Sequence, residues 1–230
     1  MKSWIDFWNS DHAIYVNERH KALHAAAVAR DIARHIPQSD AVVLDHGCGE
    51  ALYAEVVARG CRRLILCDAA PNVCAALSER LSSAANIEVV APPGVDAMPD
   101  RSLDLIVVNS VLQYLSRDLL SSLLDTWRVK LKPDGRLVIA DVIPPDVSPI
   151  RDASALLTFA TRGGFLTAAL TGLVRTALSD YGRIRKELGF SMYTEREFLD
   201  LLAAHNLAGE RVKPNFGHNQ ARMTFSAKPS

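Results

Sequence analysis

Cysteine is scarce in this chain of 230 residues, and none of the four, Cys48, Cys61, Cys67 and Cys74, stands in a C-x-x-C pair. That argues against a disulfide framework and a cysteine zinc site, leaving reduced, mostly buried thiols. Net charge is lacking too: 26 basic residues balance 26 acidic ones, so no overall field favours nucleic acid as a partner. Long apolar runs are missing. In the apolar region 153–178 the longest uncharged stretch is Gly163 to Val174, 12 residues between Arg162 and Arg175, short of the roughly 20 that span a bilayer. A signal peptide is not expected, because Trp4, Asp6, Trp8, Asp11 and His12 interrupt any apolar core, and a cytoplasmic protein is the default. Neither a catalytic triad nor a Tyr-x-x-x-Lys pair is visible, and no internal repeat occurs. A hydrophobic fraction of 49% is ample for the core of one α/β domain.

The chain is organised around Val42-Val43-Leu44-Asp45-His46-Gly47-Cys48-Gly49-Glu50-Ala51. Three apolar β-formers run into an acid, two glycines follow one residue apart, and Leu52 to Ala58 then reads as helix. A strand, a tight turn and a helix N-terminus offer free N–H groups and close backbone approach to a polar or anionic ligand. The dinucleotide fingerprint G-x-G-x-x-G requires a third glycine where the chain has Leu52.

Downstream, strand and helix alternate. Arg63 to Cys67 reads as a second strand ending at Asp68, 19 residues beyond Gly49. Helix follows from Pro71, with Val73, Cys74, Leu77 and Leu81 on one face. Ile87 to Ala91 reads as the third strand, and a loop Gly94-Val95-Asp96-Ala97-Met98-Pro99 comes after it. Ser102 to Leu115 contains a fourth strand and its turn, with Asn109, Gln113 and Tyr114. Ser116 caps a helix whose Leu120, Leu123, Leu124, Trp127 and Leu131 form an apolar stripe, and Pro133-Asp134-Gly135 turns the chain into a fifth strand ending at Asp141. Such alternation means a parallel sheet with helices on both faces and ligands beyond the C-terminal strand ends.

The run Asp45-x-Gly47-x-Gly49, with Ala51 in place of a third glycine, resembles motif I of the class I S-adenosylmethionine-dependent methyltransferases, and the later segments resemble their companion motifs in order over residues 40–142. The resemblance implies an α/β, Rossmann-like, seven-stranded, mostly parallel sheet of order 3-2-1-4-5-7-6, with an N-terminal helical cap and a helical lid after strand five. It divides one methyltransferase domain into a cap (1–37), a cofactor-binding core (38–142), a lid insertion (143–193) and a closing helix and β-hairpin (194–230). It implies S-adenosylmethionine as cofactor, held by Asp45, Gly47, Cys48, Gly49, Asp68, Ala69, Asp96, Ala97, Asn109 and Gln113. Asp68 takes both ribose hydroxyls in that scheme, and Asp96 the adenine amino group. Asp45 is expected to point back under the turn and hold loop N–H groups or a bridging water. Gln113 sits where relatives often carry histidine; the other reading is a polar loop residue.

Outside the core the residues say less. Tyr15 to Ile36 reads as helix, preceded by Trp4, Phe7 and Trp8, which either form part of a substrate pocket or staple the helix to the sheet. His20 and His24 share a helix face. With no third ligand at a recognisable spacing a metal is not expected, and a base toward substrate or a surface or capping role remain open. Tyr15, His20, His24 and Tyr114 are the candidates for the reacting centre, none with an identifying signature. Apolar residues 153–178 read as the lid, packed on the N-terminal helix; the alternative is peripheral contact of 153–186, with its flanking arginines, with an anionic membrane surface. Thr194-Glu195-Arg196-Glu197 is a capping box, and 207–213 and 221–227 read as the closing strands.

The expectation is methyl transfer by in-line displacement to a small, hydrophobic or lipid-like acceptor, with no nucleic-acid partner. Alternatives are a nicotinamide-dependent oxidoreductase and a cofactor-binding protein without transferase activity.

Overall fold

A computed structural model describes residues 3–9, 15–177 and 189–230. One seven-stranded sheet runs β3-β2-β1-β4-β5-β7-β6, in the expected order. The strands are β1 (Val42–His46), β2 (Arg63–Cys67), β3 (Ile87–Val90), β4 (Leu103–Asn109), β5 (Leu131–Val142), β6 (Leu207–Val212) and β7 (Met223–Pro229). The first five pair in parallel, and β7 enters antiparallel between β5 and β6.

The central strands look uniformly apolar because both faces are covered. Val43, Leu64, Leu66, Leu105 and Val107 pack with Ala29 and Ile32 of α2 (Glu18–His35), Val57 of α3 (Ala54–Ala58) and Leu77 of α4 (Pro71–Arg80). Their alternates Leu44, Ile65, Ile106 and Val108 face Leu120, Leu124 and Trp127 of α6 (Arg117–Lys130) and, through the β7 side, Phe198 and Leu202 of α9 (Glu195–Ala204). The capping residues act as the sequence indicates. Ser116 accepts from Leu119 N–H, Thr194 and Glu197 close a capping box, and Pro71 stands in the first turn of α4.

Several boundaries differ from the sequence reading. Helix α2 starts at Glu18 rather than Tyr15, because the Asn17 side chain accepts from His20 N–H at 2.8 Å and caps it. Helix α3 starts at Ala54 rather than Leu52, because Ala51 adopts a left-handed φ of +39° and delays it. It ends in right-handed geometry at Arg59. Residues after β3 form a helical turn, α5 (Pro92–Asp96), not a loop. Pro133-Asp134-Gly135 lies inside β5, where the β4–β5 register shifts, rather than ahead of it.

Two helical layers lie beyond the strand ends. Helix α1 (Trp4–Trp8) buries Trp4 and Phe7 against Tyr114 and Phe190. After β5 come α7 (Pro149–Gly163) and α8 (Leu166–Ala177), separated by Gly164 at φ +70°. Both pack on α2 through Val16, Leu23, Phe159, Phe165 and Ala169. The last part of the expected lid, residues 178–188, lies outside the described residues. Among the described residues no helix is long and apolar enough to cross a membrane.

Candidate functional site

The glycine turn after β1 is fixed to the end of β2. Gly47, at φ +77°, and Cys48 both donate their N–H to the Cys67 carbonyl, at 2.7 and 3.0 Å. A Cβ at Gly47 would collide with Val111, so steric space and backbone conformation both demand glycine there. Gly49 (φ +55°) donates its N–H to Asp68 Oδ2 at 2.9 Å, and Asp68 Oδ1 accepts from Ala70 N–H at 2.8 Å. Each Asp68 oxygen keeps a lone pair for a further donor. Open space lies where a Cβ would project from Gly49.

Asp45 does not hold the loop N–H groups directly: it accepts no hydrogen bond from any described residue, and the Gly49 N–H goes to Asp68 instead. Burial, then the negative charge of Asp68, pushes its carboxyl up to about 7. Ala51 keeps the path of a third glycine by taking a left-handed backbone itself, and Arg80 donates to the Glu50 and Ala51 carbonyls, both at 2.8 Å, bracing the turn. Burial holds the Cys48 thiol well above its usual range and the Cys67 thiol up at about 12, so both stay protonated. Ala69, Asp96 and Ala97 are exposed around the same edge.

Asn109 is half-buried where β4 ends, and the buried Gln113 follows in a short turn. Gln113 donates Nε2–H to the Ser110 carbonyl at 2.8 Å, while its Oε1 is buried with no donor among the described residues. Ser110 and Asp141, adjacent across the β4–β5 ends, both have left-handed backbones, at φ +57° and +63°. Ser110 Oγ donates to Asp141 Oδ2 at 2.8 Å. Burial raises the Asp141 pKa, opposed by the charge of Arg222 and by this hydrogen bond.

Three histidines meet one another, and one of them, His218, interacts with Asp141. His20 and His24 of α2 share a face as expected, with ring centroids 6.3 Å apart, and His218 from the β6–β7 connection lies 5.9 and 5.5 Å from them. Tyr15 stands 5.3 Å from His20 and 5.8 Å from His24. Phe165 stacks on His20 at 5.2 Å and Phe159 on His218 at 4.5 Å. Burial lowers all three imidazoles to about 4, assisted at His20 and His218 by their histidine neighbours, so they are neutral near pH 7. Nδ1 of His24 and of His218 is buried without a hydrogen-bond partner among the described residues. Burial, then the charges of Glu50 and Asp141, pushes the Tyr15 phenol up to about 12. Among the described residues no group of histidine, cysteine or carboxylate side chains could hold a metal ion.

Tyr15, His20 and His24 are thus brought together, and Tyr114 is not. Its ring sits in a separate aromatic group, 4.6 Å from Trp4 and 5.5 Å from Trp8. Helix α1, carrying those tryptophans, is followed by Asn9, which is bonded twice to Asn72 at the start of α4, at 2.8 Å each. It therefore straddles the strand ends from β2 to β4.

Sequence reasoning missed His218, Asp141, Ser110 and Arg80. Asp141 carried a usable signal, an acid ending an apolar parallel strand as Asp68 does. His218 carried none, since nothing in its spacing ties it to a helix almost 200 positions earlier.

Residues 44–139 match the family model described as a methyltransferase domain. No curated protein matches the sequence. Among solved structures, geranyl diphosphate C-methyltransferase from Streptomyces coelicolor A3(2), in complex with Mg2+, geranyl diphosphate and S-adenosyl-L-homocysteine, superposes with a TM-score of 0.62 at 14% identity, over 98% of this chain and 97% of that one. The DhpI–S-adenosylhomocysteine complex gives 0.61 at 14% identity over 98% and 95%. Magnesium protoporphyrin IX methyltransferase from Synechocystis PCC 6803, with the same product bound, gives 0.60 at 13% identity over 99% and 93%. This strand order and this glycine turn, with the family match over residues 44–139, give a methyltransferase-family domain on a Rossmann-like seven-stranded sheet.

Proposed function

We propose that the protein transfers a methyl group from S-adenosylmethionine to a small, largely hydrophobic or lipid-like acceptor. The observation that carries this reading is the coupling of the Gly49 turn to Asp68, with open space beside Gly49 and the orphaned Gln113 Oε1 across the same strand ends. These groups fit the cofactor's polar parts. The free lone pairs of Asp68 suit two ribose hydroxyls, the Asp96–Ala97 edge suits adenine, and Gln113 Oε1 suits a donor of the amino-acid end. Asn109, Gly47, Cys48, Ala69 and Asp45 complete the cradle. When bound, the cofactor supplies a methyl already activated by its positive sulfur.

The chain's own residues then have three tasks. Helix α1 and the lid exclude water from the strand ends. Phe159, Phe165 and the imidazoles offer an aromatic surface to an apolar acceptor. A neutral imidazole of His20, His24 or His218 can take a proton from a hydroxyl or amine acceptor, while Tyr15, protonated up to about pH 12, can donate a hydrogen bond.

Calorimetry on the full chain tests the cofactor: S-adenosylhomocysteine should bind with one site, and a nicotinamide dinucleotide should not. The reverse result would replace the reading with an oxidoreductase. Binding with no transfer to hydroxyl, amine or carbon acceptors would leave a cofactor-binding protein without transferase activity. Faster methylation of RNA, DNA or protein than of any small acceptor would overturn the acceptor class.

A second reading concerns the lid's outer face, where Ile150 is 79% exposed and Leu166 and Leu170 are also exposed, beside Arg151 and Arg162. That composition favours peripheral contact with an anionic membrane. Co-sedimentation with phosphatidylserine vesicles but not phosphatidylcholine vesicles would support it, and equal behaviour would remove it.

A further inference from the structure

A cavity of about 520 Å³ lies at the C-terminal end of β6, lined by Arg211, Lys213, Asn215, Gln220 and Arg222 among others, with no carboxylate in its wall. Arg222 is nine-tenths buried, with its side chain 10% exposed. One of its nitrogens donates to Asp152 at 2.8 Å, and its Nε is buried with no acceptor among the described residues. Arg211 repeats the pattern: Nη1 pairs with Glu195 at 2.5 Å, and Nε is buried without an acceptor. Lys213 is exposed and forms no ion pair with any described residue. Arg211 and Arg222 thus each have a carboxylate partner, and Lys213 has none among the described residues.

The neutral donors nearby are already used. Asn215 gives its amide hydrogens to the Phe216 and Asn219 carbonyls, at 3.0 and 2.9 Å. Gln220 gives its own to the Asn215 and Gly217 carbonyls, at 2.9 and 3.1 Å. What remains for a ligand is cationic: the unspent guanidinium hydrogens and the Lys213 ammonium. Guanidiniums kept from water without a full set of acceptors are stabilised by a planar, charged, multi-oxygen group.

We propose that this cavity is an anion subsite that takes a phosphate or carboxylate group. It adjoins the methyl-transfer site, since Asn215 Oδ1 accepts from the Asp141 N–H at 3.1 Å and the Arg222 charge acts on both Asp141 and His218. The anion is either free or the charged end of an acceptor whose reacting end lies among Tyr15, His20 and His218; only the second source rests on the reading above.

The test is nuclear magnetic resonance of the arginine Nε–Hε groups of the full chain, titrated at low ionic strength with inorganic phosphate and with acetate. Saturable shifts of the Arg211 and Arg222 signals are expected. They should weaken at least tenfold in Lys213→Ala and in Arg211→Gln, each shown folded by circular dichroism, and survive in Asp68→Asn. Because Asp68→Asn weakens the cofactor cradle and leaves the cavity untouched, failure of the methyltransferase assignment and failure of this subsite are separable. Octyl phosphate then separates the sources. Binding at least tenfold tighter than inorganic phosphate, with movement of His218 signals, assigns the acceptor's tail; equal affinity with His218 unmoved assigns a free anion. Absence of saturable shifts with either anion, or unchanged affinity in both cavity variants, overturns the proposal.

Discussion

Ser110 and Asp141 hold each other across the ends of β4 and β5: the serine Oγ donates to Asp141 Oδ2 at 2.8 Å while both residues sit in left-handed backbone. Two non-glycine residues in that region, side by side, store strain that the surrounding hydrogen bonds must offset. Ser110 N–H donates to the Ala140 carbonyl at 3.2 Å, and Asp141 N–H to Asn215 Oδ1 at 3.1 Å, so the backbone is pinned on both sides. The consequence is a carboxylate fixed at the strand ends within reach of the His218 charge.

Removing the hydroxyl should show how strain and hydrogen bonding divide. Ser110→Ala keeps the strained φ and strips a buried carboxylate of its side-chain donor, at a cost of about 1–3 kcal/mol. Ser110→Gly loses the same donor but relieves the backbone, so it should be the less destabilised of the two. Urea denaturation of both variants checks the order. If the glycine variant is the weaker, backbone strain at Ser110 is not a significant term.

Ala51 offers a gain rather than a loss. At φ +39° its Cβ is strained, and glycine removes that strain at the price of a more flexible unfolded chain. Ala51→Gly should therefore leave stability within about 1 kcal/mol of the parent, and it should bind S-adenosylhomocysteine at least as tightly because the turn path is unchanged. A substantial fall in affinity would mean that the alanine methyl itself contacts the cofactor.

Asp68 has two tasks in the structure, and variants separate them. It holds the Gly49 and Ala70 N–H groups, and its remaining lone pairs face the proposed ribose. Asp68→Ala should weaken cofactor binding by about 1.5–3 kcal/mol, through lost charge-assisted hydrogen bonds and a loosened turn. Asp68→Asn retains one acceptor and should fall between. Calorimetry finding wild-type affinity in a folded Asp68→Ala chain would sink the ribose assignment.

How far the sequence foretold this follows from what each feature depends on. Sheet order, the Gly47 turn and the caps at Ser116 and Thr194 are local patterns with long apolar strands behind them, so they were legible. A direct Asp45 contact to the loop was not legible either way, because residue type cannot say which of two neighbouring acids reaches a loop N–H. Asp68 reaches it because Gly49 lies over the end of β2, a matter of packing rather than composition. His218 was invisible for the same reason. It joins His20 and His24 only because β7 returns between β5 and β6 and sets the β6–β7 connection against α2.

Stability should depend on pH with a definite sign. His20, His24, His46 and His218 are held near 4 in the folded chain against 6.5 when free. Between those values the unfolded chain binds more protons, so their contribution is full above pH 6.5 and is lost as pH falls toward 4. Asp45 has the opposite sign. Its folded value of about 7 exceeds the free value of 3.8, so its contribution is full below 3.8 and is lost as pH rises through 7. Asp141, also raised by burial, shares the sign of Asp45. Asp45 acts over the same window as the imidazoles and opposes them there, so Asp45→Asn should steepen the loss of stability as pH falls below 6.5. Thermal melts of both chains from about pH 4.5 to about 8.5 read that limb, and a flat profile below 6.5 in the Asp45→Asn chain would mean the imidazoles are solvated.

The final prediction concerns closure over the strand ends. Helix α1 is held by two hydrogen bonds between Asn9 and Asn72 and by the Trp4 ring on Tyr114 and Phe190. The α7–α8 pair is held differently, by Arg19 Nε–H donating to the Gly163 carbonyl and by Asp152, which pairs with Arg222 and accepts from Asn219. These are few, partly exposed ties for segments that bury little of the central core, so local opening costs less than global unfolding. An open edge would leave the reacting sulfur hydrated and the acceptor unaligned, which gives closure a chemical as well as a packing reason. Deleting residues 1–16 should abolish transfer while the sheet persists, because the described residues of that stretch hold no strand and no helix of the sheet-covering core. Asn72→Ala should weaken the α1 anchor by about 1–3 kcal/mol without touching the cofactor cradle. Hydrogen exchange with and without S-adenosylhomocysteine reads closure directly: residues 3–9 and 149–177 should gain protection together with the Gly47 turn. If only the turn is protected, the cofactor binds at an open edge and these helices serve packing alone.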